Sequence, residues 1–341
     1  MAIPGSGPLS FSVIRSEFNG PSPAISLSDY YRNGGLVPSA PQNAQIPTSG
    51  AISVSFFYGA TNEIVAVVSG NVNNLDVSSL FGSNWTSAVP KRLIINSGVV
   101  VGSTADTLNS LTIPNTLAGT LTIENNGNVY GAGGIFNGSN GGVGGNAVRT
   151  FTPVTIQNNG NIFAGGGAGG RGGQGGTGSC GSTPGSTIFC PGQPNPFACG
   201  GGSCAQGGFQ SNFCFPLGNC PVWCQARCSP YPCGQNPPIP NPASTGSAGG
   251  VGGRGQGSDG PLSPGSATTG TPTNCGGGGT GAPGGTGGSF GQPGASGPVG
   301  GTSSTGQGGF SGQPGSAAGF YIVGNSLVNW TNLGSVAGRV S

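Results

Sequence analysis

The chain has 341 residues, of which 75 are glycine and 29 are proline, and its net charge is only +2. So small a charge leaves no basic surface for nucleic acid. The absence of histidine excludes Ser-His-Asp and Cys-His catalysis and histidine metal ligands. Paired carboxylates could still meet from distant positions, but their spacing does not indicate it. We therefore expect no enzyme, no cofactor and no metal. The 16 phenylalanines, 6 tyrosines and 3 tryptophans argue against a disordered chain.

Ten cysteines are unusual for a protein that stays in a reducing cytosol. The first residues carry neither a charged region nor an apolar core, so no conventional signal peptide is predicted. No apolar run reaches the ~18 residues of a membrane helix, so membrane insertion is not expected either. A chain that is made in the cytosol and released by lysis reconciles these observations.

Residues 1–60 contain an internal repeat, in which the segment 25–31 (ISLSDYY) returns as 52–58 (ISVSFFY). We predict a small β-rich lobe in which the two similar turns pack their aromatic rings together. The alternative interpretation is a docking module. Its candidate contact residues are Asp29, Tyr30, Tyr31, Phe56, Phe57 and Tyr58.

Residues 61–164 are rich in short β-branched runs bounded by Gly, Asn and Pro, which predict strands. The clearest repeat matches 121–134 (LTIENNGNVYGAGG) with 154–167 (VTIQNNGNIFAGGG). Asn-Gly pairs are typical of tight turns with positive φ, and a repeat of this length predicts stacked units. The predicted strands cover 63–69, 92–95, 98–101, 110–113 and 119–124.

Residues 165–319 form the glycine-rich body, and residues 166–178 are a strict Gly-Gly-X repeat. Its third positions hold Ala168, Arg171, Gln174 and Thr177. A period of three fits neither an α-helix nor a strand, and it is the period of the polyproline-II helix. Because such helices have no internal hydrogen bonds, several of them in one chain are expected to pack on one another. The predicted fold is therefore mainly β with packed polyglycine-II helices and essentially no α-helix.

Residues 179–240 are an insert of a different composition, rich in cysteine, proline and aromatic residues. An even number of cysteines in a region with almost no aliphatic core predicts disulfides, with up to five bridges and no readable connectivity. The alternative is a zinc site, although zinc motifs usually contain Cys-x2-Cys pairs. The four candidate zinc ligands are Cys220, Cys224, Cys228 and Cys233. The disulfide candidates are Cys180, Cys190, Cys199, Cys204, Cys214, Cys220, Cys224, Cys228, Cys233 and Cys275.

Residues 320–341 change character again, and the alternating segment 320–330 (FYIVGNSLVNW) is typical of strands around a turn. A β segment after so much glycine is expected to return to the earlier strands and close the fold.

Several of these segments together resemble glycine-rich bacteriophage tail proteins, most closely the tail-fibre tip adhesins of T-even-like phages. The resemblance rests on 121–134, on the Gly-Gly-X runs with variable inserts, and on 320–330. The segments 15–18 (RSEF) and 25–35 (ISLSDYYRNGG) are similar to the start of many tail proteins. The resemblance covers roughly two thirds of the chain. The cysteine-rich insert is the part that departs from the family pattern.

The resemblance implies a sandwich of glycine helices whose connecting loops face a host receptor, and an N-terminal lobe that docks to the virion. It implies other tail or fibre proteins as partners, with a bacterial surface protein or glycan, and a place on the virion tail or outside the lysed host. Aromatic residues of the insert could stack on sugar rings or fill protein pockets. The candidate receptor-binding residues are Phe189, Phe197, Phe209, Phe213, Phe215, Trp223 and Tyr231.

Two other functions fit the composition. One is a non-adhesive structural protein that self-assembles through its glycine helices into a tail or extracellular filament. The other is an ice- or surface-binding module, in which residues 1–130 have no role.

Overall fold

The structure is a computed structural model, and it describes residues 3–20, 26–138, 141–179, 238, 243–267 and 277–341. Between residues 180 and 242 it also gives the backbone of six strands, β12 to β17. These are Ser182–Thr183, Thr187–Cys190, Phe209–Leu217, Cys220–Cys228, Tyr231–Gln235 and Ile239–Pro240.

The N-terminal lobe is not β-rich as predicted. Within residues 3–20 and 26–60 it consists of the helix α1 (Phe11–Glu17) and three 3₁₀ turns, with one isolated bridge between Arg32 and Val37. The turns are Leu27–Tyr30, Pro41–Asn43 and Val54–Phe57. Serine hydroxyls explain the difference: the side chains of Ser26 and Ser53 accept hydrogen bonds from the backbone two residues on, which favours a turn over a strand.

The internal repeat of the lobe is nevertheless real in three dimensions. Both copies form a serine-capped 3₁₀ turn, and each turn contributes one fully buried aromatic ring, Tyr30 or Phe57. The two rings meet edge to face with centroids 6.3 Å apart, an orientation that the ring quadrupoles favour. The predicted packing of the two turns on each other is confirmed.

Residues 64–163 and 320–340 form a parallel β-solenoid with three faces. Each face is a five-stranded sheet in which neighbouring strands are parallel. Five successive coils contribute one strand to each sheet, and the helix α2 (Val77–Phe81) follows the first coil. The strands are β1 (Ile64–Val68), β2 (Val72–Asn73), β3 (Leu75–Asp76), β4 (Lys91–Ile95), β5 (Val100–Gly102), β6 (Asn109–Ile113), β7 (Leu121–Asn125), β8 (Asn128–Tyr130), β9 (Asn146–Thr150), β10 (Val154–Asn158), β11 (Asn161–Phe163), β18 (Phe320–Val323), β19 (Val328–Asn332), β20 (Ser335–Ala337) and β21 (Arg339–Val340).

The solenoid interior is built from apolar side chains that stack in register from coil to coil. Leu93, Ile123 and Ile156 occupy one such column and are almost completely buried. Trp330 continues this column in the last coil, where no further coil follows among the described residues. Its indole N–H donates to the Asn325 side chain at 2.9 Å, and its ring lies 6.4 Å from that of Tyr321. The end of the core is thus covered by an aromatic pair whose polar atom is satisfied.

The Asn-Asn-Gly-Asn turns stack directly on each other, as the repeat predicts. Asn125 and Asn158 are buried, and the side-chain amide Nδ2 of Asn125 donates to the side-chain oxygen Oδ1 of Asn158 at 2.7 Å. Neither Gly127 nor Gly160 has the positive φ expected from the sequence. A Cβ on Gly160 would instead lie 1.9 Å from the carbonyl oxygen of Gly127. These glycines are required because adjacent coils approach so closely.

The chain leaves the solenoid after β11 and re-enters it at β18, which completes the third face of the fourth coil. The exit and the return are adjacent, since the N–H of Gly319 donates to the carbonyl of Gly165 at 3.0 Å. The prediction that the final segment closes on earlier strands is confirmed: β18 pairs with β9, and β19 pairs with β10.

One buried cation stabilises the beginning of the solenoid. Lys91, the only lysine of the chain, is 1% exposed, and its ammonium group donates to the carbonyl oxygens of Ser87, Val89 and Ala118 at 2.7–2.9 Å. Burial lowers the pKa of Lys91 because it penalises the charged form. The three carbonyls satisfy all three donors, so Lys91 ties two loops to the start of β4.

Candidate receptor-binding and docking surfaces

The glycine-rich body is organised around one extended segment, residues 165–178, which we call the central segment. The N–H groups of Gly166, Gly169, Gly172 and Gly175 donate to the segment 244–257 at 2.8–3.0 Å. The N–H groups one residue further on donate, over the same range of distances, to the segment 292–301. Each neighbour is therefore met at every third residue, which is the period of the sequence repeat.

Carbonyl groups of the central segment bond to two further segments. Those of Gly167, Gly170, Gly173 and Gly176 accept from the segment 279–288 at 2.7–2.8 Å. Those of Ala168, Arg171 and Gln174 accept from the segment 310–319 at 2.8 Å. Four segments thus surround the central one, and the bonds to each of them involve backbone atoms on both sides.

The glycines of the central segment are required by the distance to these neighbours. A Cβ on Gly169, Gly172 or Gly175 would lie 1.8–2.0 Å from a carbonyl oxygen of the segment 279–288. Backbone atoms at that distance cannot yield as a flexible side chain can. Side chains are therefore confined to the third position of each triplet.

The third positions of the central segment lead from the solenoid towards the far end of the body. Ala168 is fully buried, whereas Arg171 and Gln174 each donate a 3.3 Å hydrogen bond to a carbonyl of the segment 244–257. Thr177 follows and bonds to the side chain of Gln307. Polar side chains thereby bond to carbonyls that lack a backbone partner among the described residues.

Three chain connections leave the body at the end remote from the solenoid. Gly178 and Ser244 exchange two backbone hydrogen bonds of 2.8 and 3.0 Å, so the insert starts and returns at one point. The N–H of Ser304 donates to the carbonyl of Gly277 at 3.0 Å, which places the loop 302–308 beside the connection that ends at 277. The N–H of Ser179 donates to Thr305 Oγ1 at 3.3 Å. We call this end the distal end.

The predicted receptor-binding residues all fall in the insert, where the structure gives strand backbone only. Strands β14 and β15 pair antiparallel, and Phe215 lies opposite Trp223 in the register while Phe213 lies opposite Gln225. Phe209 lies opposite Cys228, Phe189 opposite Pro232 and Tyr231 opposite Cys190. Phe197 lies outside the described residues.

The predicted disulfides remain predictions. Cys214 and Cys224 lie directly opposite each other in the register of β14 and β15, and Cys220 and Cys233 also lie in strands. Four further candidates lie outside the described residues, namely Cys180, Cys199, Cys204 and Cys275. The zinc alternative involves side chains of the insert alone and is likewise untested. Within the described part of the chain no group of carboxylate or thiol side chains has the geometry of a metal site.

The predicted docking residues divide into two groups. Tyr30 and Phe57 lie in the core of the lobe, together with Ile14 and Phe18, and so cannot contact a partner directly. The remaining four reach the surface. Asp29 accepts from the N–H of Ser26 at 2.9 Å, Tyr31 bonds to the Gly50 carbonyl, Tyr58 donates to the Gly7 carbonyl at 2.6 Å, and Phe56 is 37% exposed.

The lobe is fixed to the solenoid by buried polar contacts. Asn43, fully buried, donates to the carbonyl of Thr61 at 2.9 Å and accepts from its N–H at 3.0 Å. Gln42 donates to the carbonyl of Val65, on the outermost strand of its sheet, at 2.9 Å. The lobe thus covers an edge strand that would otherwise be free to pair.

The body is fixed to the solenoid by a turn and an aromatic contact. Ser258 accepts from the N–H of Ser103 at 2.8 Å, and the carboxylate of Asp259 accepts from the N–H of Gly133 at 2.8 Å and pairs with Arg254. The ring of Phe290 lies 4.7 Å from that of Tyr130, on the face of the second sheet. The distal end is therefore held at a defined position relative to the lobe.

The loop 302–308 at the distal end was missed by sequence reasoning. Ser303 Oγ accepts from the N–H of Gln307 at 3.1 Å and lies 3.1 Å from Thr305 Oγ1, so the loop is internally bonded. The signal that could have identified it is the interruption of the glycine triplets by Ser-Ser-Thr at 303–305. None of the helices in the described residues has the length and apolar character needed to cross a bilayer.

The described residues thus form a β-solenoid, a body whose segments are joined by backbone hydrogen bonds, and a group of chain connections at the distal end. Residues 63–213 match the family model described as phage tail fibre adhesin Gp38. The match begins one residue before β1 and includes β1 to β11 and the central segment. The resemblance to bacteriophage tail-fibre adhesins is thereby confirmed.

A solved structure is also similar, the crystal structure of the gp37–gp38 adhesin tip complex of the bacteriophage S16 long tail fiber. The sequence identity is 17% and the TM-score is 0.39, over 97% of this chain and 92% of that chain. No curated protein matches the chain.

Proposed function

We propose that this protein is a non-enzymatic adhesin of a phage tail fibre. Residues 1–60 attach it to the virion, and the loops at the distal end bind a receptor on the bacterial surface, either a protein or a glycan. The observation that carries the proposal is the match of residues 63–213 to the tail-fibre adhesin family, together with the grouping of the insert and the loop 302–308 at one end of the body.

The way in which the body is held together allows a constant scaffold and a separate recognition surface. Its segments are joined by backbone hydrogen bonds, so changes of side chain in the distal loops leave those bonds intact. A recognition surface must vary while its scaffold stays constant, and this construction permits it. Disulfides in the insert would order the aromatic residues before binding and so lower the entropy lost on contact.

We also infer that the extended segments of the body are polyglycine-II helices packed as a sandwich. Bonds to each neighbour at every third residue and the close approach of backbones support this. An experimental structure should give φ near −75° and ψ near +145° along the central segment. Strand-like dihedrals there would contradict the inference.

The receptor-binding part of the proposal is tested by deleting residues 185–235. Because Gly178 and Ser244 bond to each other, the base of the insert should close without disturbing the body. We expect the variant to remain on particles, measured by immunoblot, while adsorption to host cells is lost. The matched control is Val251→Ser, an exposed residue on the segment 244–257, which should adsorb normally. Unchanged adsorption of the deletion variant would remove the insert from the receptor site.

The location on the virion is tested by immunogold labelling of particles with an antibody against the chain. Gold at fibre tips supports the adhesin. Gold along free filaments, without particle labelling, would favour the self-assembling structural protein instead.

The disulfide prediction is tested by mass spectrometry of the intact chain without reduction. We expect the mass of a chain whose thiols have been oxidised in pairs. Ten free thiols, or a bound zinc ion, would contradict it.

A further inference from the structure

Asn-Gly pairs occur at six places in the chain, and a pair of this kind can modify itself. The glycine nitrogen, with no side chain beside it, loses its proton and attacks the asparagine Cγ, so that a succinimide ring forms and ammonia leaves. One water molecule then opens the ring at either carbonyl and gives aspartate or isoaspartate. The reaction needs a free glycine N–H and a free asparagine side chain, so the fold decides which pair reacts. The pairs begin at Asn19, Asn33, Asn126, Asn137, Asn140 and Asn159, and Asn140 lies outside the described residues.

Two of the pairs lie in turns of the N-terminal lobe, and their glycine N–H groups are bonded. Gly20 donates to the carbonyl of Arg15, and Gly34 donates to the carbonyl of Tyr31, each at 2.9 Å. An N–H that donates to a carbonyl is held away from the preceding side chain. This bond must therefore open before the nitrogen can attack.

The pairs at Asn126 and Asn159 lie in the stacked turns of the solenoid, where both reacting groups are bonded. The N–H groups of Gly127 and Gly160 donate to the side-chain oxygen of the asparagine two residues earlier, at 3.2 and 3.3 Å. Asn159 Nδ2 donates to Asn126 Oδ1 at 2.9 Å, and Asn159 Oδ1 accepts from the amide of Asn332 at 2.9 Å. Asn159 is nevertheless exposed, so hydrogen bonding and not burial protects it.

The pair Asn137-Gly138 lies at the tip of the loop between β8 and β9, and it is held by no such bond. Neither the Gly138 N–H nor the Asn137 side chain has a hydrogen-bond partner among the described residues. Both residues are exposed, and the space beside the Gly138 Cα is open to 4 Å. The site thus offers a free nucleophile, a side chain that no hydrogen bond holds, and access for the water that opens the ring.

The base of the same loop is fixed to the body. The N–H of Gly142 donates to the carbonyl of Ile135 at 2.7 Å, and the carbonyl of Gly142 accepts from the N–H of Ala168, in the central segment, at 3.0 Å. Phe136 and Gly141 form an isolated bridge above this base. A change at the tip lies outside these bonds, so the modified chain keeps its fold.

We propose that Asn137 is a site of spontaneous deamidation, through a succinimide formed with the nitrogen of Gly138. The products carry a carboxylate in place of the amide, so the net charge of the chain falls by one from its value of +2. Isoaspartate also adds one atom to the main chain at the loop tip. Because the reaction needs only water, the modified fraction increases with the time since the copy was folded.

The test incubates the freshly purified full-length chain in mildly alkaline buffer and locates each new carboxylate by peptide mapping with fragment ions. Asn137 should react first. Asn19 and Asn33 should react ~10-fold more slowly, because one hydrogen bond must open before attack. Asn126 and Asn159 should be slower by ~100-fold, because several bonds must open. The product should contain isoaspartate as well as aspartate, and aspartate alone would exclude the succinimide.

Three controls separate the effect of the fold from that of the local sequence. In denaturant the five pairs should react at similar rates, because the bonds that protect four of them are lost. Asn137→Gln should abolish the fast reaction, since its longer side chain closes a six-membered ring less readily. Asn137→Asp carries the new charge and should melt within ~2 °C of the wild type. The proposal is overturned if Asn126 or Asn159 reacts as fast as Asn137 in the folded chain, or if the ranking of the pairs persists in denaturant.

Discussion

Replacing Gly172 by alanine tests whether backbone contact is the reason for the glycine repeat. The new Cβ would lie 2.0 Å from the carbonyl oxygen of Ala282, so the two segments must separate by about 1.5 Å to reach ordinary contact. That movement would stretch the two backbone bonds of Ala282, from its N–H to the Gly173 carbonyl (2.8 Å) and from the Gly250 N–H to its carbonyl (2.8 Å). At about 1 kcal/mol for each bond, plus lost packing, the net cost is about 2–4 kcal/mol. Alanine recovers only ~0.4–1 kcal/mol by restricting the unfolded chain.

Gly308→Ala is the matched control within the same body. A Cβ at Gly308 meets nothing within 4 Å, and its φ is not positive. This variant should therefore be neutral or slightly stabilised, by up to ~1 kcal/mol. Thermal unfolding should show Gly172→Ala melting on the order of 5–10 °C below Gly308→Ala. Equal melting temperatures would refute the argument that backbone contact excludes side chains from the central segment.

Three further predictions concern the solenoid. Asn158→Ala removes a buried amide that donates to the carbonyl of Leu333 at 2.7 Å. Urea unfolding should show a free energy of unfolding lower by about 2–4 kcal/mol. For Asn159→Ala, at the exposed neighbouring residue, the loss should be less than ~1 kcal/mol. Trp330→Ala uncovers the end of the core and should lower the free energy of unfolding by about 2–4 kcal/mol. Limited proteolysis should then cleave the chain beyond residue 320 sooner than it cleaves the wild type. An unchanged cleavage pattern would contradict the covering role. Because burial lowers the pKa of Lys91 in the folded state, the unfolded chain binds more protons, so stability should rise with pH between the lowered pKa and the ordinary lysine value. Lys91→Met should lack this rise when urea unfolding is compared across alkaline pH, and parallel pH profiles would contradict it.

The stacking of the Asn-Asn-Gly-Asn units could be predicted from sequence because the repeat directly sets the register. Thr155 pairs with Thr122, and Asn158 with Asn125, with the offset of the sequence repeat. Closure into a three-sided solenoid could not be predicted, because strands such as Val72–Asn73 and Leu75–Asp76 are only two residues long and leave no alternating pattern. The last coil could not be predicted either, because its contacts with the fourth coil join residues that are far apart in sequence. Asn158, for example, bonds to Leu333, 175 positions later.

The lobe and the candidate surfaces show a different limit. The repeat in residues 25–31 and 52–58 correctly predicted two matching turns, but the lobe predicted to be β-rich has the helix α1 and three 3₁₀ turns in its described residues, two of them capped by serine. Aromatic residues were taken as contacts because of their type, and Tyr30 and Phe57 proved to be core. Burial is decided by packing across the whole lobe, so residue type alone could not separate the two groups.

The body is inserted in the chain between strands β11 and β18 of the solenoid, and this order has a consequence for biosynthesis. Coil four lacks its third side until β18 is made, and the coil that covers the core with Trp330 comes later still. Translation at roughly 5–20 residues per second separates β10 from its partner β19 by about 10–30 s. During that interval the ribosome-bound chain carries an unfinished core and an open strand edge. A truncated product can close neither the core nor the strand edge, so both stay exposed to cellular proteases.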